Sequence, residues 1–511
     1  MMPRLCLLAP VLIVSTTLSA QPAPHKRIQQ VMDRPEFAHA IWGMEFYDVT
    51  ARKTIYAVNR ERLFVPGSTT KLITAGTAYA TLGADFQFRT RIYRTGPVRN
   101  GIVQGDLVLV ASGDPNLTRW EHPAGLYAFA DVDHSYGGQP LPGDPIGALR
   151  DMASQIASKG IRGITGQVLV DASLFREGAR ELGTRVVLSP IIINDNVIDI
   201  VVTPGARAGD PAGVSVTPHT SYLTVQANVS TVDSGTVAGV RSVEDSTDKD
   251  HRTLVLSGRV SIGSTTNSRW AVASPTRFGE IILAEALNDA GVRVIPRLGA
   301  RTTDFAQIAR GYADSLVIAE HVSLPYSAAS RVLLKTSQNL HASTMPLVLG
   351  ARASAQNAGR SGFDVAHDWL TGAGLSTEGA VQGDGAGGDA FFSPAFITRY
   401  LELVAAQPWY DAFYTSLPVL GVDGTLAAIQ TGAPAAGKVH AKTGTYSSYD
   451  PLNRRPVVHG KGLAGYFTSK SGRKVAFAIY VNNFAANVPD PATFAGQALG
   501  EIASIAWDVI K

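Results

Sequence analysis

The chain has 511 residues, 45% of them apolar, and its 45 basic and 42 acidic side chains leave a net charge of only +3. This much apolar material can form a large buried core, which excludes wholesale disorder, and the lack of a basic run or stripe argues against nucleic-acid binding. The single cysteine, Cys6, excludes an intrachain disulfide framework and a thiolate metal cluster.

The first 20 residues have the pattern of a secretory signal peptide. Arg4 is followed by a short apolar run at 5–14 and by small residues up to Ala20, a stretch too short to span a bilayer permanently. No later stretch reaches about 18 uninterrupted apolar residues. We therefore expect a soluble exported protein, with no transmembrane anchor in the mature chain.

The segments after the signal peptide alternate between strand and helix patterns. Apolar runs at 40–49 and 54–58 predict paired strands, and apolar residues at helical spacing after Pro66-Gly67 predict a helix that Gly83 ends. From about 90 to 300, short apolar runs between turn residues are typical of β structure. Later elements are expected as helices at 277–291, 327–350, 363–372, 393–406 and 491–511, as strands at 437–443, 462–468 and 474–481, and as a Gly-rich loop at 383–388.

This order of elements predicts one α/β domain, of the α+β kind, that is interrupted by an insertion. We expect the domain to comprise residues 21–92 and 305–511, with an antiparallel sheet flanked by helices on both faces. Residues 93–304 are expected to form one or two inserted, mainly-β domains.

Three short motifs occur in chain order where catalytic side chains can meet. Ser-x-x-Lys occurs three times, but only the copy at Ser68 begins an apolar helix, where the i, i+3 spacing puts both side chains on one face. Together the three motifs form the set found in class A β-lactamases and penicillin-binding proteins. They are Ser68-Thr69-Thr70-Lys71, Ser337-Gln338-Asn339 and Lys442-Thr443-Gly444-Thr445.

The residue types explain how the first two motifs could work. Lys71 can accept the proton of the Ser68 hydroxyl when it is neutral, and burial near the charge of Lys442 would lower its pKa. Ser337 can relay a proton to a leaving amine, and Asn339 can hold a substrate amide through its donor and acceptor ends.

The third motif could bind the substrate. Lys442 and Thr443 offer a positive charge and a hydroxyl to a carboxylate, and Gly444 leaves room for a substrate strand along the sheet edge. The backbone N–H groups of Ser68 and Thr445 are candidate oxyanion donors. With no metal and no other cofactor expected, the candidate residues are Ser68, Lys71, Ser337, Asn339 and Lys442 for catalysis and Thr443, Gly444 and Thr445 for substrate binding.

On these motifs, the sequence resembles the D-alanyl-D-alanine carboxypeptidase/endopeptidase family, the class C low-molecular-mass penicillin-binding proteins. The 269 positions from Ser68 to Ser337 far exceed the gap in single-domain serine β-lactamases, whereas the resembled family carries inserted domains there. The resemblance covers most of residues 40–511 and is clearest at 60–83, 105–118, 188–205, 221–231 and 416–426.

The resemblance implies an exported enzyme of the periplasm or another extracytoplasmic cell-wall space, which acts on peptidoglycan stem peptides through an acyl-enzyme on Ser68. It implies cleavage of D-Ala–D-Ala ends, leaves open cleavage of the D-amino-acid cross-links between strands, and implies that β-lactams inhibit by acylating the same serine. Two alternatives remain open. One is a β-lactamase or esterase on the same fold, which would need an efficient deacylation base, and the other is a noncatalytic wall-binding scaffold.

The sequence departs from the family pattern at three places. The Gly-rich loop 383–389 lacks the usual Ser-Arg pair, and the segment 341–345 lacks the acidic residue often found after the second motif. Residues 446–460 lengthen the connection after the third motif, and Arg454 and Arg455 there could reach an anionic stem peptide. These changes leave the catalytic set intact and bear on substrate preference.

Two polar features near the motifs receive structural interpretations. His341 lacks any partner at a metal-ligand spacing, which favours a role in packing. The Asn-Asp-Asn sequence at 194–196 lies among hydrophobic strands and predicts a turn.

Overall fold

The fold is described from a computed structural model of the chain. The structure describes residues 24–120, 125–137, 139–245, 252–294, 303–355 and 358–511. The predicted signal peptide at 1–20 lies outside the described residues. Among the residues that are described, no helix combines the length and the apolar character needed to cross a membrane.

The strands are spread over the whole described chain and form several sheets. In chain order they are β1 (Ile41–Asp48), β2 (Lys53–Val58), β3 (Arg89–Arg94), β4 (Val98–Arg99), β5 (Ile102–Val103), β6 (Leu107–Val110), β7 (Arg119–Trp120), β8 (Gly143–Asp144), β9 (Gly163–Ile164), β10 (Val168–Asp171) and β11 (Val197–Thr203). They continue as β12 (Gly213–Thr217), β13 (Leu223–Val232), β14 (Gly239–Asp245), β15 (Arg252–Ser261), β16 (Thr266–Ala271), β17 (Val317–Val322), β18 (Ala380–Gln382), β19 (Ala390–Phe392), β20 (Val439–Asp450), β21 (Arg455–Thr468) and β22 (Lys474–Phe484).

The helices lie before, between and after these strands. They are α1 (Pro24–Met32), α2 (Lys71–Leu82), α3 (Gly147–Ser158), α4 (Pro275–Asp289), α5 (Phe305–Ala309), α6 (Tyr326–Lys335), α7 (Asn339–Ser354), α8 (Gly362–Gly372), α9 (Pro394–Ala405), α10 (Tyr410–Ser416) and α11 (Pro491–Val509).

A five-stranded antiparallel sheet in the order β2-β1-β22-β21-β20 combines strands from the N-terminal and C-terminal parts of the chain. Strand β22 is buried at nearly every position and is therefore a continuous apolar run rather than an alternating one. Its alternate residues belong to two hydrophobic clusters, one shared with α9 and the other with α11. The predicted fold class, an antiparallel sheet with helices on both faces, is confirmed.

Helix α2 lies inside the cluster on one face of this sheet and begins at the first motif. Its residues from Lys71 to Tyr79 are all buried, because α6, α7 and α8 surround it. A Cβ on Gly76 would lie 1.8 Å from Tyr400 Oη, and that hydroxyl donates to Leu72 O at 2.7 Å. This packing fixes the helix whose N-terminus carries Lys71.

The β-rich middle of the chain has a hydrophobic core of its own. A four-stranded sheet in the order β10-β6-β3-β17 packs with α3 and α4, and the same core includes the sheets β12-β11-β16 and β13-β15-β14. The strands β3 and β17 pair within this four-stranded sheet, although the predicted catalytic segments 21–92 and 305–511 contain most of their residues. The boundaries at 93 and 304 stay a prediction.

Two elements differ in form from the sequence prediction. The helical pattern at 327–350 forms two helices, α6 and α7, because Ser337 between them has a left-handed backbone with φ +63°. The residues at 446–460, expected as an extended connection, instead lengthen β20 and β21 into a hairpin arm with exposed Tyr449 and Leu452. Among the described strands, the part of β21 before Val458 pairs with β20 alone.

Candidate active site

The first motif is a short turn followed by a helix. Gly67–Thr70 forms a 3-10 turn and Lys71 begins α2, so the spacing of three brings the two reactive side chains together. Lys71 Nζ donates a hydrogen bond of 2.6 Å to Ser68 Oγ. Gly67 has φ +51°, and a Cβ on it would lie 2.5 Å from the backbone N of Thr445, so the close approach requires glycine.

The second motif reaches the same lysine from the turn between α6 and α7. Ser337 Oγ and Asn339 Oδ1 accept hydrogen bonds from Lys71 Nζ at 3.2 Å and 2.6 Å. The left-handed backbone of Ser337 costs about 1 kcal/mol or more for a residue other than glycine, and such strain is common at functional sites. The ammonium group of Lys71 thus joins the first motif to the second.

Residues of the β-rich middle of the chain hold both the backbone nitrogen and the side-chain amide of Asn339. Asn339 N donates to Asp133 Oδ2 at 2.8 Å, and Asn339 Nδ2 donates to Tyr136 Oη at 2.9 Å. Because Oδ1 accepts from Lys71, the amide is fixed at both of its ends. Burial, together with the carboxylates of Glu181 and Asp133, raises the pKa of Tyr136 to about 12, so the phenol stays protonated at neutral pH.

The third motif lies on β20 at the edge of the five-stranded sheet. The buried Lys442 donates through Nζ to Thr443 O at 2.8 Å, and Thr443 Oγ1 donates to Thr425 Oγ1 at 2.7 Å. A Cβ on Gly444 would lie 2.0 Å from Pro66 O. The space that the sequence analysis assigned to a substrate strand is therefore occupied by the turn of the first motif, and glycine lets β20 approach that turn.

Burial lowers the pKa of both motif lysines. The pKa of Lys71 falls to about 8, because desolvation outweighs the attraction of three nearby carboxylates. The pKa of Lys442 lies well below its ordinary value, because burial acts together with the positive charges of Lys71 and Lys461. At pH 7 roughly one Lys71 side chain in ten is then neutral.

The Gly-rich loop packs against the N-terminus of α2, even though it lacks the Ser-Arg pair. Ala386 O accepts from Lys71 Nζ at 3.3 Å, and the preceding carbonyl accepts from the Thr74 hydroxyl at 2.7 Å. Asp384 keeps the loop in shape by accepting a hydrogen bond from Gly387 N at 2.7 Å. The loop therefore closes the site around Lys71 through its backbone.

A buried cluster of carboxylates and histidines lies behind the second motif. Asp195 is at hydrogen-bond distance from His134 Nδ1 (3.0 Å) and His341 Nε2 (2.8 Å), and His134 Nε2 is 2.9 Å from Asp199. Although burial disfavours the charged ring, these two carboxylates raise the pKa of His134 to about 10. The turn expected at 194–196 is present, with left-handed backbone angles, but its contacts with the two histidines were not foreseen.

A cleft of about 430 Å³ opens over the motifs. Its lining includes members of all three motifs, residues of the β-rich unit and one face of α11. The structure brings all eight candidate residues to this region. Sequence reasoning missed Asp133, Tyr136 and Lys461, which also line the cleft, because no short motif marks them.

Known sequences are similar to this chain over most of its length. The sequence profile of the D-Ala-D-Ala carboxypeptidase 3 (S13) family matches residues 25–499. The D-alanyl-D-alanine carboxypeptidase of Actinomadura sp. (strain R39) is 25% identical over 487 residues, which cover 90% of this chain and 81% of the relative. The D-alanyl-D-alanine carboxypeptidase DacB of Haemophilus influenzae is 22% identical over 455 residues, 86% of this chain and 84% of the relative.

Solved structures show the same fold. The crystal structure of penicillin-binding protein 4 from Haemophilus influenzae has a TM-score of 0.68 at 19% identity, covering 93% of this chain and 98% of that chain. The same protein complexed with a novel β-lactam has a TM-score of 0.65 at 19% identity and the same coverage. At this identity the likeness is one of fold.

Proposed function

Because the chain belongs to the D-Ala-D-Ala carboxypeptidase 3 (S13) family, we propose that it is a serine-type D-alanyl-D-alanine carboxypeptidase with Ser68 as its nucleophile. The observation that carries the proposal is the 2.6 Å contact between Lys71 Nζ and Ser68 Oγ, at a lysine whose pKa burial lowers to about 8. Such a lysine is neutral often enough near pH 7 to act as a general base.

In the acylation step, neutral Lys71 takes the hydroxyl proton of Ser68 while Oγ attacks the carbonyl carbon between the two terminal D-alanines. The backbone N–H groups of Ser68 and Thr445 would stabilise the oxyanion that forms. Their closeness supports this role, since Cβ atoms on Gly444 and Gly67 would lie 3.0 Å from Ser68 N and 2.5 Å from Thr445 N.

The tetrahedral intermediate then breaks its C–N bond and releases the terminal D-alanine. The leaving amine takes the proton from Lys71 through the hydroxyl of Ser337, which is 3.2 Å from the ammonium nitrogen. Asn339 holds the amide of the substrate, while Thr443 and Lys442 bind the terminal carboxylate.

Water completes the reaction by hydrolysing the ester on Ser68, which restores the hydroxyl and releases the shortened peptide. A β-lactam would enter the same path, because its strained amide opens on the serine to give an acyl-enzyme. The Haemophilus influenzae penicillin-binding protein 4 that was crystallised with a β-lactam supports this part of the proposal.

We propose peptidoglycan stem peptides as the substrates, with cross-links between strands as a second target. Export through the signal peptide at 1–20 would bring the enzyme to the periplasm or another extracytoplasmic space, where these peptides occur.

The proposal is tested by labelling with a fluorescent penicillin. We expect the wild type to label and Ser68→Ala to lose the label. Ser471→Ala is the matched control, since this exposed serine begins another Ser-x-x-Lys sequence, ending at Lys474, and should label like the wild type. Equal labelling of Ser68→Ala and the wild type would contradict the assignment of Ser68 as the nucleophile.

Measurements of product release distinguish the proposed carboxypeptidase from a noncatalytic scaffold and from a β-lactamase. Release of D-alanine from a pentapeptide identifies a carboxypeptidase, whereas labelling without release identifies a scaffold. Rapid loss of the label with little peptide hydrolysis identifies a β-lactamase, and cleavage of a cross-linked muropeptide dimer reports endopeptidase activity.

A further inference from the structure

The hairpin arm at 446–460 begins at the wall of the cleft and continues away from it. Thr445 lines the cleft, and β20 runs on from it without a break to Asp450. The extra residue in this part of the ladder lies on β21, so alternate residues of β20 still share a face. Ser447 and Tyr449 therefore lie on the same face as Thr445. The cleft side of the sheet thus extends along the arm as far as Tyr449.

Exposed apolar side chains are concentrated on the arm. Tyr449 is 62% exposed and is directly opposite Pro456, which is also exposed. Leu452, in the turn at the end of the arm, is 89% exposed. A single exposed apolar side chain is ordinary, but three of them on one projecting hairpin indicate a surface for a partner.

The arm is held in shape by contacts on its other face and in its turn. Ser448 Oγ is 2.7 Å from His459 Nε2, and the centroids of the Tyr446 and His459 rings are 5.7 Å apart. Tyr446 and Ser448 occupy the positions of β20 that face away from the cleft side. In the turn, the Asp450 carboxylate accepts a hydrogen bond of 3.0 Å from Leu452 N. An ordered surface of this kind loses little conformational entropy when a partner binds.

The charge of the arm favours an acidic partner. The arm contains two arginines, Arg454 and Arg455, and one acidic residue, Asp450. Arg455 is opposite Asp450 in the ladder, whereas Arg454 is exposed in the turn. An arginine can bind a carboxylate through two parallel N–H groups. The partner of this surface should therefore combine carboxylates with flat apolar faces.

A short peptide in the cleft does not reach this surface. Tyr449 is four residues beyond Thr445, or about 13 Å at a rise of about 3.3 Å per residue. A tripeptide spans at most about 11 Å, and its scissile bond must lie beside Ser68. The polymer that carries the stem peptides is larger, and its sugar rings have apolar C–H faces that can stack on tyrosine and proline rings.

We propose that the arm binds the glycan strand of peptidoglycan. The sugar rings lie against Tyr449 and Pro456, Leu452 extends this surface at the turn, and Arg454 binds a carboxylate of the polymer. The inference rests on the proposed function and extends it from the stem peptide to the strand that carries the peptide. The arm then holds the polymer while a stem peptide occupies the cleft, so it promotes hydrolysis of cell-wall polymer and has no part in the cleavage of short peptides.

The test uses a double variant, Tyr449→Ser with Leu452→Ser, and purified peptidoglycan sacculi. In cosedimentation we expect the dissociation constant for sacculi to rise about 10-fold, the size expected when exposed anchor side chains are lost. Release of D-alanine from sacculi should fall by a similar factor, whereas kcat/KM for diacetyl-L-lysyl-D-alanyl-D-alanine should stay unchanged. Glycan strands freed of their stem peptides should compete with sacculi for the wild type.

The matched control is the double variant Val237→Ser with Val243→Ser. These valines are 87% and 66% exposed in the β-rich middle of the chain, so the control removes exposed apolar side chains elsewhere. It should bind and hydrolyse sacculi like the wild type.

Each contrary result has its own meaning. Equal binding and hydrolysis of sacculi by the arm variant and the wild type would overturn the role of the arm, and so would a parallel loss of tripeptide cleavage, which indicates a structural role. Binding of the arm to phospholipid vesicles or to a second copy of the chain, with sacculus binding unaffected, would replace the glycan as its partner. A wild type that releases no D-alanine from the tripeptide overturns the proposed function, and this outcome is separate because cosedimentation needs no turnover.

Discussion

Replacing Gly444 by alanine should disable the site with little damage to the rest of the fold. The new Cβ would lie 2.0 Å from Pro66 O and 3.0 Å from the backbone nitrogens of Ser68 and Thr69, and every one of these neighbours is backbone. Ordinary contact begins at 3.4 Å, so β20 and the turn of the first motif must separate by about 1.4 Å along the contact with Pro66.

That separation is large on the scale of catalytic geometry. It moves the N–H of Thr445 away from the N–H of Ser68, and a displacement of about 1 Å can cost roughly 100-fold in rate. We expect Gly444→Ala to acylate with a fluorescent penicillin at least about 100-fold more slowly than the wild type. Stopped-flow or quenched gel assays of the acylation rate constant measure this directly.

The matched control is Gly372→Ala, at the last residue of α8, where no atom lies within 4 Å of the added Cβ. It should acylate at the wild-type rate, with a stability equal to or slightly above that of the wild type. Melting temperatures separate local displacement from unfolding. Acylation of Gly444→Ala within fivefold of the wild type would refute the reasoning that this glycine sets the distance between β20 and the serine turn.

Three further changes test other parts of the site. Since only neutral Lys71 can accept a proton and its pKa is about 8, the acylation rate should fall about tenfold per pH unit below 8 and level off above it; a rate that stays flat between pH 6 and 8 contradicts this. Asp195→Asn should lower the free energy of unfolding in urea by about 3 kcal/mol, because it removes a buried carboxylate from two histidines. The control Asp233→Asn, at an exposed position, should change this free energy by less than about 0.5 kcal/mol. Ser337→Gly should raise the free energy of unfolding by about 0.5–1 kcal/mol, because glycine adopts the left-handed backbone without strain. The same change should slow acylation about 100-fold through loss of the hydroxyl. A variant that is less stable than the wild type argues against strain at this position.

The sequence allowed the family and the fold class to be predicted from short motifs, their order along the chain and the pattern of apolar runs. The roles of the motif residues stay a prediction. The contact of Ser68 with Lys71 needs only a turn and one helical step, so it follows from the pattern itself. The meeting of the three motifs could be expected from their order and from the family resemblance. Their distances to one another could not be derived.

The residues that sequence reasoning missed depend on pairing across long stretches of chain. Lys461 reaches Thr445 only through the register of β20 and β21, and Asp133 reaches Asn339 from another unit. The extension at 446–460 looked like a loop because Pro451, Asn453 and two arginines interrupt its apolar pattern. The structure instead continues the ladder on both sides of the turn at 451–454.

Asn339 donates two hydrogen bonds to the β-rich middle of the chain, one from its backbone nitrogen to Asp133 and one from its side-chain nitrogen to Tyr136, and these limit how this enzyme can be shortened by engineering. Joining residue 92 directly to residue 305 would keep all eight motif residues in one compact chain. It would also delete both of these acceptors, so that among the described residues the side-chain amide of Asn339 would keep its contact with Lys71 alone. A truncated scaffold for penicillin capture would therefore need new groups in place of this carboxylate and this phenol before the second motif could work.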